Sequence, residues 1–231
     1  NDVMGVIEIL SSRREYTKLN PFVVLLGKGD HEITSSWTDE ESDEVETTLG
    51  ITCSNITFLG VEKDITTIFG GFGIRGLENI TFKQMTVTNK SNGDGIYMID
   101  AKVELIDVAL KGSNCCALYI PYSYSATTVV ATRCEFANSD YGAEVEGSLA
   151  SATFKNCVFH NNSSDGIRGN ESTIHLHGEA TAVHSNGENG IYAFYSGKVI
   201  IHLPSNHNTS YNNRREDRLV RTSGTITNVE D

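Results

Sequence analysis

The sequence predicts an all-β protein, a right-handed single-stranded parallel β-helix in which the chain winds around one axis and stacks coil upon coil. Three observations carry this prediction: a repeat of about two dozen residues, a period-two alternation that opens each repeat, and polar bends between the apolar stretches. Repeats of about 20 to 50 residues are typical of solenoids. The repeats start near Asn55, Asn79, Lys102, Thr128, Ser151, Thr173 and Lys198, at intervals of 24, 23, 26, 23, 22 and 25 residues.

Each repeat contains two or three short strands. The opening strands read NITF, NITF, KVEL, TVVA, SATF, TIHL and KVII. A second short apolar stretch follows, then a bend rich in Asn, Ser and Gly, and then a closing strand such as GIY or GIR. No repeat contains ten residues with a 3.6-residue period, which argues against helical solenoids. Connections between parallel strands are right-handed, so the coil is predicted to be right-handed as well.

Stacking the coils in register would make residues of successive repeats vertical neighbours, about 4.8 Å apart. Three inward columns are therefore predicted. The first consists of Ile56, Ile80, Val103, Val129, Ala152, Ile174 and Val199. The second consists of Phe58, Phe82, Leu105, Ala131, Phe154, Leu176 and Ile201, and the third of Met85, Val108, Cys134 and Cys157.

The N-terminal segment NDVMGVIEIL lies outside the repeat. Its apolar residues at positions 3, 6, 7 and 10 form one helical stripe, which suits an amphipathic helix that covers the open end of the solenoid. We therefore predict a capping α-helix over residues 1–18 and a single β-helix domain of about eight rungs over residues 19–231. The acidic run TDEESDEVE (38–46) is predicted to be a solvated loop.

The composition argues against several classes of partner. The 231 residues carry a formal net charge of -12, whereas a nucleic-acid partner would require a basic stripe. A polyanionic glycan would meet overall repulsion and would need bridging cations or a local basic spot. No apolar run reaches about 18 residues, so no membrane span is expected. The five cysteines show no CxxC spacing and therefore no zinc or redox motif.

The cellular location is less constrained. The first residues lack a charged and then apolar leader, so we expect no targeting segment in this chain. Seven Asn-x-Ser/Thr sequons would permit glycosylation of a secreted protein, although a turn-rich β protein contains many by composition alone. A secreted or surface location is preferred, and the oligomeric state is left open.

The repeat N-I-T-F…V…N…D-G-I, over roughly residues 22 to 229, resembles that of the pectin-lyase-like superfamily of right-handed parallel β-helices. The resemblance implies the fold and a range of functions: polysaccharide lyases, glycoside hydrolases, uronan epimerases, phage tailspikes and non-catalytic recognition modules. The chain lacks a DPHD-like stretch of the epimerases and the paired-Asp and RIK signatures of polygalacturonase-like hydrolases. A lyase, hydrolase or epimerase-like activity and a non-catalytic role therefore both stay open.

The most informative surface is the outward column of the closing strands, which reads Tyr97, Tyr119, Glu144, Arg168, Tyr192. Phenol rings offer flat faces to sugars, and an acid beside a guanidinium can fix a polar group or transfer a proton. Stacked tyrosines and a Glu–Arg pair could equally stabilise the solenoid without any ligand.

The flanking bends add Asp94, Tyr141 and Asp165. We expect Asp94 and Tyr141 to bind a ligand and Asp165 to be a candidate catalytic or calcium-binding carboxylate, although Asp-Gly is also the ordinary chemistry of a bend. His160, predicted near Arg168 and Asp165 and beside His184, is an acid/base candidate together with Glu144.

The last third of the chain is rich in histidine. His175 and His177 should face outward on one strand, and His202 should stack near His177 in the next coil. Three imidazoles can bind zinc or copper, but stacked surface histidines also occur without a metal. The sequence requires no cofactor; Ca²⁺ or Zn²⁺ is the alternative.

Two functions remain after these considerations. The first is a carbohydrate-related protein that binds an extended polysaccharide along the tyrosine face and cleaves or epimerises it if it is catalytic. The second is a non-catalytic scaffold, a surface, virion or partner-recognition solenoid. A concave, accessible tyrosine face would favour the first.

Overall fold

The computed structural model describes residues 7, 16–39, 43–204 and 207–230. They form a right-handed parallel β-helix, which confirms the predicted fold class. In chain order the strands are Phe22–Leu25 (β1), Gly29–Glu32 (β2), Trp37–Thr38 (β3), Glu44–Val45 (β4), Thr48–Gly50 (β5), Ile56–Leu59 (β6), Thr66–Phe69 (β7), Gly71–Arg75 (β8), Ile80–Thr88 (β9), Ile96–Ile99 (β10), Lys102–Lys111 (β11), Cys116–Ile120 (β12), Thr127–Thr132 (β13), Glu135–Ala137 (β14), Tyr141–Glu146 (β15), Ala150–Lys155 (β16), Val158–His160 (β17), Ile167–Asn170 (β18), Thr173–His177 (β19), Ala182–His184 (β20), Ile191–Phe194 (β21), Lys198–His202 (β22), Ser210–Tyr211 (β23), Arg218–Val220 (β24) and Thr225–Asn228 (β25).

The strands form three faces of parallel strands. The first face contains β1, β6, the beginnings of β9 and β11, β13, β16, β19, β22 and β25. The second contains β2, β7, the ends of β9 and β11, β14, β17, β20 and β23. The third is an 8-stranded sheet of β5, β8, β10, β12, β15, β18, β21 and β24. An antiparallel hairpin, β3–β4, precedes β5.

The strand pairing confirms the predicted inward columns. Ile56 pairs with Ile80, and the column continues through Val103 to Val199. Rings stack in the second column, where Phe58 and Phe82 lie 5.2 Å apart. All members of both columns have an exposed fraction of 4% or less, so each coil contributes apolar area to one continuous core.

The bends between the faces need backbone that most residues avoid. Non-glycine residues with positive φ recur at equivalent corners: Gln84, Asp107, Arg133 and Asn156 between the first two faces, and Asn138, Asn161, Ser185 and Asn212 before the third. Asparagine tolerates this left-handed region better than most residues, which explains its frequency at the bends. A ladder of buried amides also supports the second corner, where Asn162 Nδ2 donates to Asn186 Oδ1 at 2.9 Å and Asn186 Nδ2 donates to Asn213 Oδ1 at 2.8 Å.

The predicted N-terminal cap helix over residues 1–18 lies mostly outside the described residues, and its end was predicted wrongly, because residues 16–18 are not helical and Thr17 forms an antiparallel bridge with Asn20. Ile7, which is described, is buried and belongs to the hydrophobic core.

Candidate functional site

The third face carries one row of side chains that point away from the core. Strand pairing aligns Tyr97 with Tyr119, Tyr119 with Glu144, Glu144 with Arg168, and Arg168 with Tyr192. All five side chains are partly exposed, and we call them the outer row. The preceding residue of each strand is fully buried: Ile96, Leu118, Ala143, Ile167 and Ile191. The register that the sequence predicts for this face is therefore confirmed.

Trp37 of the β3–β4 hairpin extends the outer row. Its ring centroid lies 5.1 Å from that of Tyr97, which in turn lies 5.5 Å from that of Tyr119. The indole rests on Gly50 and Gly73, the two residues that precede Tyr97 in the same column. A Cβ on Gly73 would come within 2.3 Å of the indole, so glycine is what lets the ring lie on the sheet. Three aromatic rings therefore form a continuous aromatic cluster at this end, in which neighbouring ring planes are inclined by 57° and 79°.

The centre of the outer row is an ion pair. Arg168 Nη1 lies 3.2 Å from Glu144 Oε1, with the side chains 28% and 13% exposed. Burial raises the pKa of Glu144, and Arg168 acts in the opposite direction. The guanidinium also packs between two rings, 5.3 Å from the centroid of Tyr141 and 5.0 Å from that of Phe194. The arginine is thus held in one orientation and still reaches the surface.

A second carboxylate, Glu146, lies two residues after Glu144 on the same strand. Its Oε2 accepts a hydrogen bond from the Tyr119 hydroxyl at 3.0 Å, and its Oε1 accepts one from Asn170 Nδ2 at 2.9 Å. Burial and the neighbouring Glu146 charge raise the pKa of Tyr119, which keeps the phenol protonated as a donor. The outer row therefore presents donors, acceptors and ring faces side by side.

Asp94 stands at the bend before β10. Its Oδ1 accepts the backbone N–H of Cys116 at 2.8 Å, and the Cys116 thiol donates to Glu144 Oε2 at 3.6 Å. Burial raises the pKa of Asp94 to about 6. The hydrogen bond with Cys115 and burial raise the pKa of the Cys116 thiol, so Cys116 donates its backbone N–H to Asp94 and its protonated thiol to Glu144.

Asp165 occupies the equivalent bend three coils further on, before β18. Its Oδ1 accepts hydrogen bonds from the backbone N–H and Nδ2 of Asn189 at 2.9 and 2.8 Å. The side chain is buried, which raises the pKa of its carboxyl. Both Asp-Gly aspartates thus bind the backbone of the next coil, and Tyr141 is the bend residue that contacts Arg168 directly.

A loop borders the third face where β12 ends. Tyr122 and Tyr124 in the loop at residues 121–126 are 49% and 98% exposed. Both tyrosines line a depression of about 410 Å³. The depression lies next to Trp37, because the guanidinium of its lining residue Arg75 is 5.4 Å from the centroid of the Trp37 ring. It is lined by Arg75, Ile99, Asp100, Tyr122, Ser123 and Tyr124. The aromatic end of the outer row is therefore bordered by a recess.

His160 lies on the second face, whereas Arg168 and Glu144 lie on the third. It stacks with His184 at 5.4 Å, as the spacing predicts, and its Nε2 lies 3.0 Å from Glu135 Oε1. Burial acts against the charge of Glu135, but contacts with Lys111 and His160 hold the pKa of this carboxyl below its usual value. The structure therefore places His160 in an ionic network on another face instead of beside Arg168.

Two groups in the described residues could hold a metal ion. His175, His177 and His202 meet on the first face, as their register predicts, and Asp94, Cys115 and Cys116 meet beside the outer row. In both groups the ligand atoms lie within 4.8 Å of one another. Because the Cys116 thiol has a raised pKa, a cation at the second group would have to displace its proton.

Sequence reasoning missed Trp37, Glu146 and the thiol of Cys116. Trp37 is the single tryptophan of the chain, and the glycines beneath it fall in the column of Tyr97, which was a usable signal. Glu146 could have been found by the same alternation that exposes Glu144. The contact of Cys116 depends on a bend geometry that no spacing indicates.

In the part of the chain that the structure describes, no helix has the length and hydropathy that crossing a membrane would require.

Comparisons with known proteins agree with the fold. The family model described as the right handed beta helix region matches residues 45–229. The structure of Geobacillus virus E2 ORF18 is similar with a TM-score of 0.57 and 12% identity, over 99% of this chain and 57% of the viral one. Pectin methylesterase PemA from Erwinia chrysanthemi is similar with a TM-score of 0.53 and 11% identity, over 95% and 85%. No curated protein sequence matches. At these identities the likeness shows the fold.

Proposed function

We propose that this chain, which belongs to the right-handed β-helix family, is a carbohydrate-related protein that binds an extended polysaccharide along the outer row. The observation that carries the proposal is the continuous succession of Trp37, Tyr97 and Tyr119, at ring distances of 5.1 and 5.5 Å, that leads to the Glu144–Arg168 pair. Exposed aromatic faces pack on the C–H surfaces of sugars.

Ring stacking alone does not fix the orientation of a sugar, whereas hydrogen bonds from the polar groups beside the rings can fix it. Arg168 offers guanidinium donors, and the carboxylates of Glu144 and Glu146 accept hydrogen bonds from hydroxyls. Coils stack about 4.8 Å apart, so these groups recur along the solenoid axis at the interval of the strands. A ligand that repeats along its own length suits such a row. Pectin methylesterase PemA, which shares the fold, is named for a polysaccharide substrate, and this supports the proposal.

A reaction at this face is the second candidate function, and one observation favours it. Burial raises the pKa of Glu144, which suits a general acid, and Arg168 is placed to hold a sugar hydroxyl or carboxylate beside it. A group that moves a proton beside a group that holds the sugar is a common feature of glycan cleavage and epimerisation. The test is incubation with neutral glycans and uronans, followed by detection of reducing ends, unsaturated ends and altered uronate epimers. If the wild type forms a product and Glu144→Gln does not, catalysis is supported. If no glycan yields a product, binding is the function that remains.

Binding is tested on an array of neutral and uronate-containing oligosaccharides. The double change Tyr97→Ala and Tyr119→Ala should weaken binding to the best glycan roughly ten-fold or more, since each ring contributes on the order of 1 kcal/mol. Tyr211→Ala is the matched control, because this tyrosine stacks on His184 on the second face. If the wild type binds no glycan, or the double variant binds as well as the wild type, the outer row is not a glycan site, and the scaffold function takes its place.

A further inference from the structure

On the first face, three imidazoles converge across two coils. His175 and His177 alternate on β19, with ring centroids 6.2 Å apart. Strand pairing places His202 of β22 directly over His177, and their rings lie 4.0 Å apart. The same His202 also reaches sideways, so that its Nε2 is 2.9 Å from His175 Nδ1. His202 therefore contacts both histidines of the preceding coil.

This arrangement differs from an ordinary stacked ladder. On the second face His160, His184 and Tyr211 form such a ladder, with ring distances of 5.4 and 5.1 Å along one column. In the first-face group the contact between His202 and His175 crosses from one column to the next, because strand pairing aligns His175 with Ile200 instead. The result is a triangle of nitrogen atoms within 4.8 Å of one another, which a single column cannot form.

We propose that His175, His177 and His202 form a binding site for one divalent late transition-metal ion, such as Zn²⁺. Neutral imidazole is a preferred ligand of zinc, copper and nickel. Zinc–nitrogen bonds of about 2.0–2.1 Å in a tetrahedron place the nitrogens roughly 3.4 Å apart. The His175–His202 nitrogens, which now share a hydrogen bond at 2.9 Å, would have to separate by about half an ångström. The rings of His177 and His202, now stacked at 4.0 Å, would have to turn so that their ring edges point at the ion, which requires χ rotations of partly exposed side chains.

The surroundings leave one coordination position of a bound ion open. All three imidazoles are partly exposed, so an ion can reach their nitrogens from solvent. In the preceding coil, Thr153 is aligned with His175 and Lys155 with His177. Lys155 is the one cation among these aligned residues, and it is exposed. Three ligands with the group open to solvent leave the fourth position for water. The site is independent of the outer row, which lies on the third face.

Metal titration of the whole chain tests the proposal. Co²⁺ titration followed by visible absorption, and Zn²⁺ competition against a chromophoric chelator, should show one ion per chain. His175→Gln and His202→Gln should each weaken Zn²⁺ binding at least ten-fold. His184→Gln is the matched control, because it removes one imidazole from the second-face ladder and should leave binding unchanged.

A second measurement uses the unaltered protein and does not depend on the folding of any variant. Diethyl pyrocarbonate modification, mapped by peptide mass, should slow at the three histidines when Zn²⁺ is present and should stay constant at His160 and His184. Any of three results would overturn the site. The wild type could take up no ion, the variants at His175 and His202 could bind zinc as well as the control does, or zinc could leave the modification rates of the three histidines unchanged.

Discussion

Asp94 shows how burial controls a single charge near the outer row. Its carboxyl is held against the backbone of the next coil by the Cys116 N–H, and burial raises its pKa to about 6 from an ordinary 3.8. The protonated form is therefore favoured in the folded protein between these two values. Glu144 accepts a hydrogen bond from the thiol of the same Cys116, and burial raises its pKa as well. Burial thus raises the pKa of both Asp94 and Glu144.

This protonation makes a prediction for stability against pH. Because the folded pKa lies above the unfolded one, the stabilising contribution of Asp94 is fully present below about pH 3.8 and is lost as the pH rises through about 6. Asp94→Asn keeps the Oδ1 acceptor and removes the charge. As the pH rises from 4 to 7, the unfolding free energy of the variant should therefore increase relative to that of the wild type, by about 3 kcal/mol at most.

Urea denaturation at a series of pH values measures this difference, with Asp30→Asn at an exposed position as the control. A difference that is flat with pH for Asp94→Asn would mean that the carboxyl is not held in the protonated form.

At the scale of elements, the β3–β4 hairpin is the part that does not follow the repeat. It comes between β2 and β5 and lays Trp37 over the sheet at Gly50 and Gly73. The strands of the third face supply a flat surface, and the two glycines leave room for the indole. The aromatic cluster of Trp37, Tyr97 and Tyr119 therefore consists of one inserted hairpin residue and one residue from each of two regular strands.

Gly73→Ala tests this placement. The new Cβ would lie 2.3 Å from the indole, so Trp37 must leave the sheet surface and become more solvated. Since the chain has a single tryptophan, its fluorescence emission should shift to longer wavelength. Gly27→Ala is the control, because no atom lies within 4 Å of a Cβ at that position. Unchanged emission from Gly73→Ala would show that the ring does not rest on this glycine.

The whole molecule combines a regular stack with a strong negative charge. Each coil packs mainly on its two neighbours, so the outer row runs along the stacked coils of the third face. The net charge of -12 acts on any ligand that approaches this face. Arg75 and Arg168 oppose it locally, while Glu144, Glu146 and Asp100 add to it.

This balance predicts a preference for uncharged glycans. A polyuronate should bind more weakly than a neutral glycan of similar length and linkage, and raising the salt concentration from about 0.05 to about 0.5 M should narrow the difference by screening. Isothermal titration of both glycans at the two salt concentrations measures the effect. Tighter binding of the polyuronate at low salt would mean that the arginines of the third face dominate over the net charge.

Much of the fold and part of the site could be predicted from the sequence. From a repeat of 22 to 26 residues, one can calculate which residues of successive coils are vertical neighbours. The alternation of apolar and polar residues along each strand then indicates which of them face the core. The columns of Ile56 and Phe58, the outer row and the pairing of His177 with His202 all follow from those two rules. The physical reason is that parallel strand pairing repeats the same backbone hydrogen bonds in every coil, so register carries from one coil to the next.

The tertiary structure alone decided what lies across columns, between faces and outside the repeat. It placed Trp37 beside Tyr97, put His160 against Glu135 on another face than Arg168, and turned His202 toward His175. Periodicity determines the position of each Cα along the stack but not the rotamer of a long side chain or the path of an inserted hairpin. Those depend on packing against residues that are not repeat-related, which only the folded coordinates bring together.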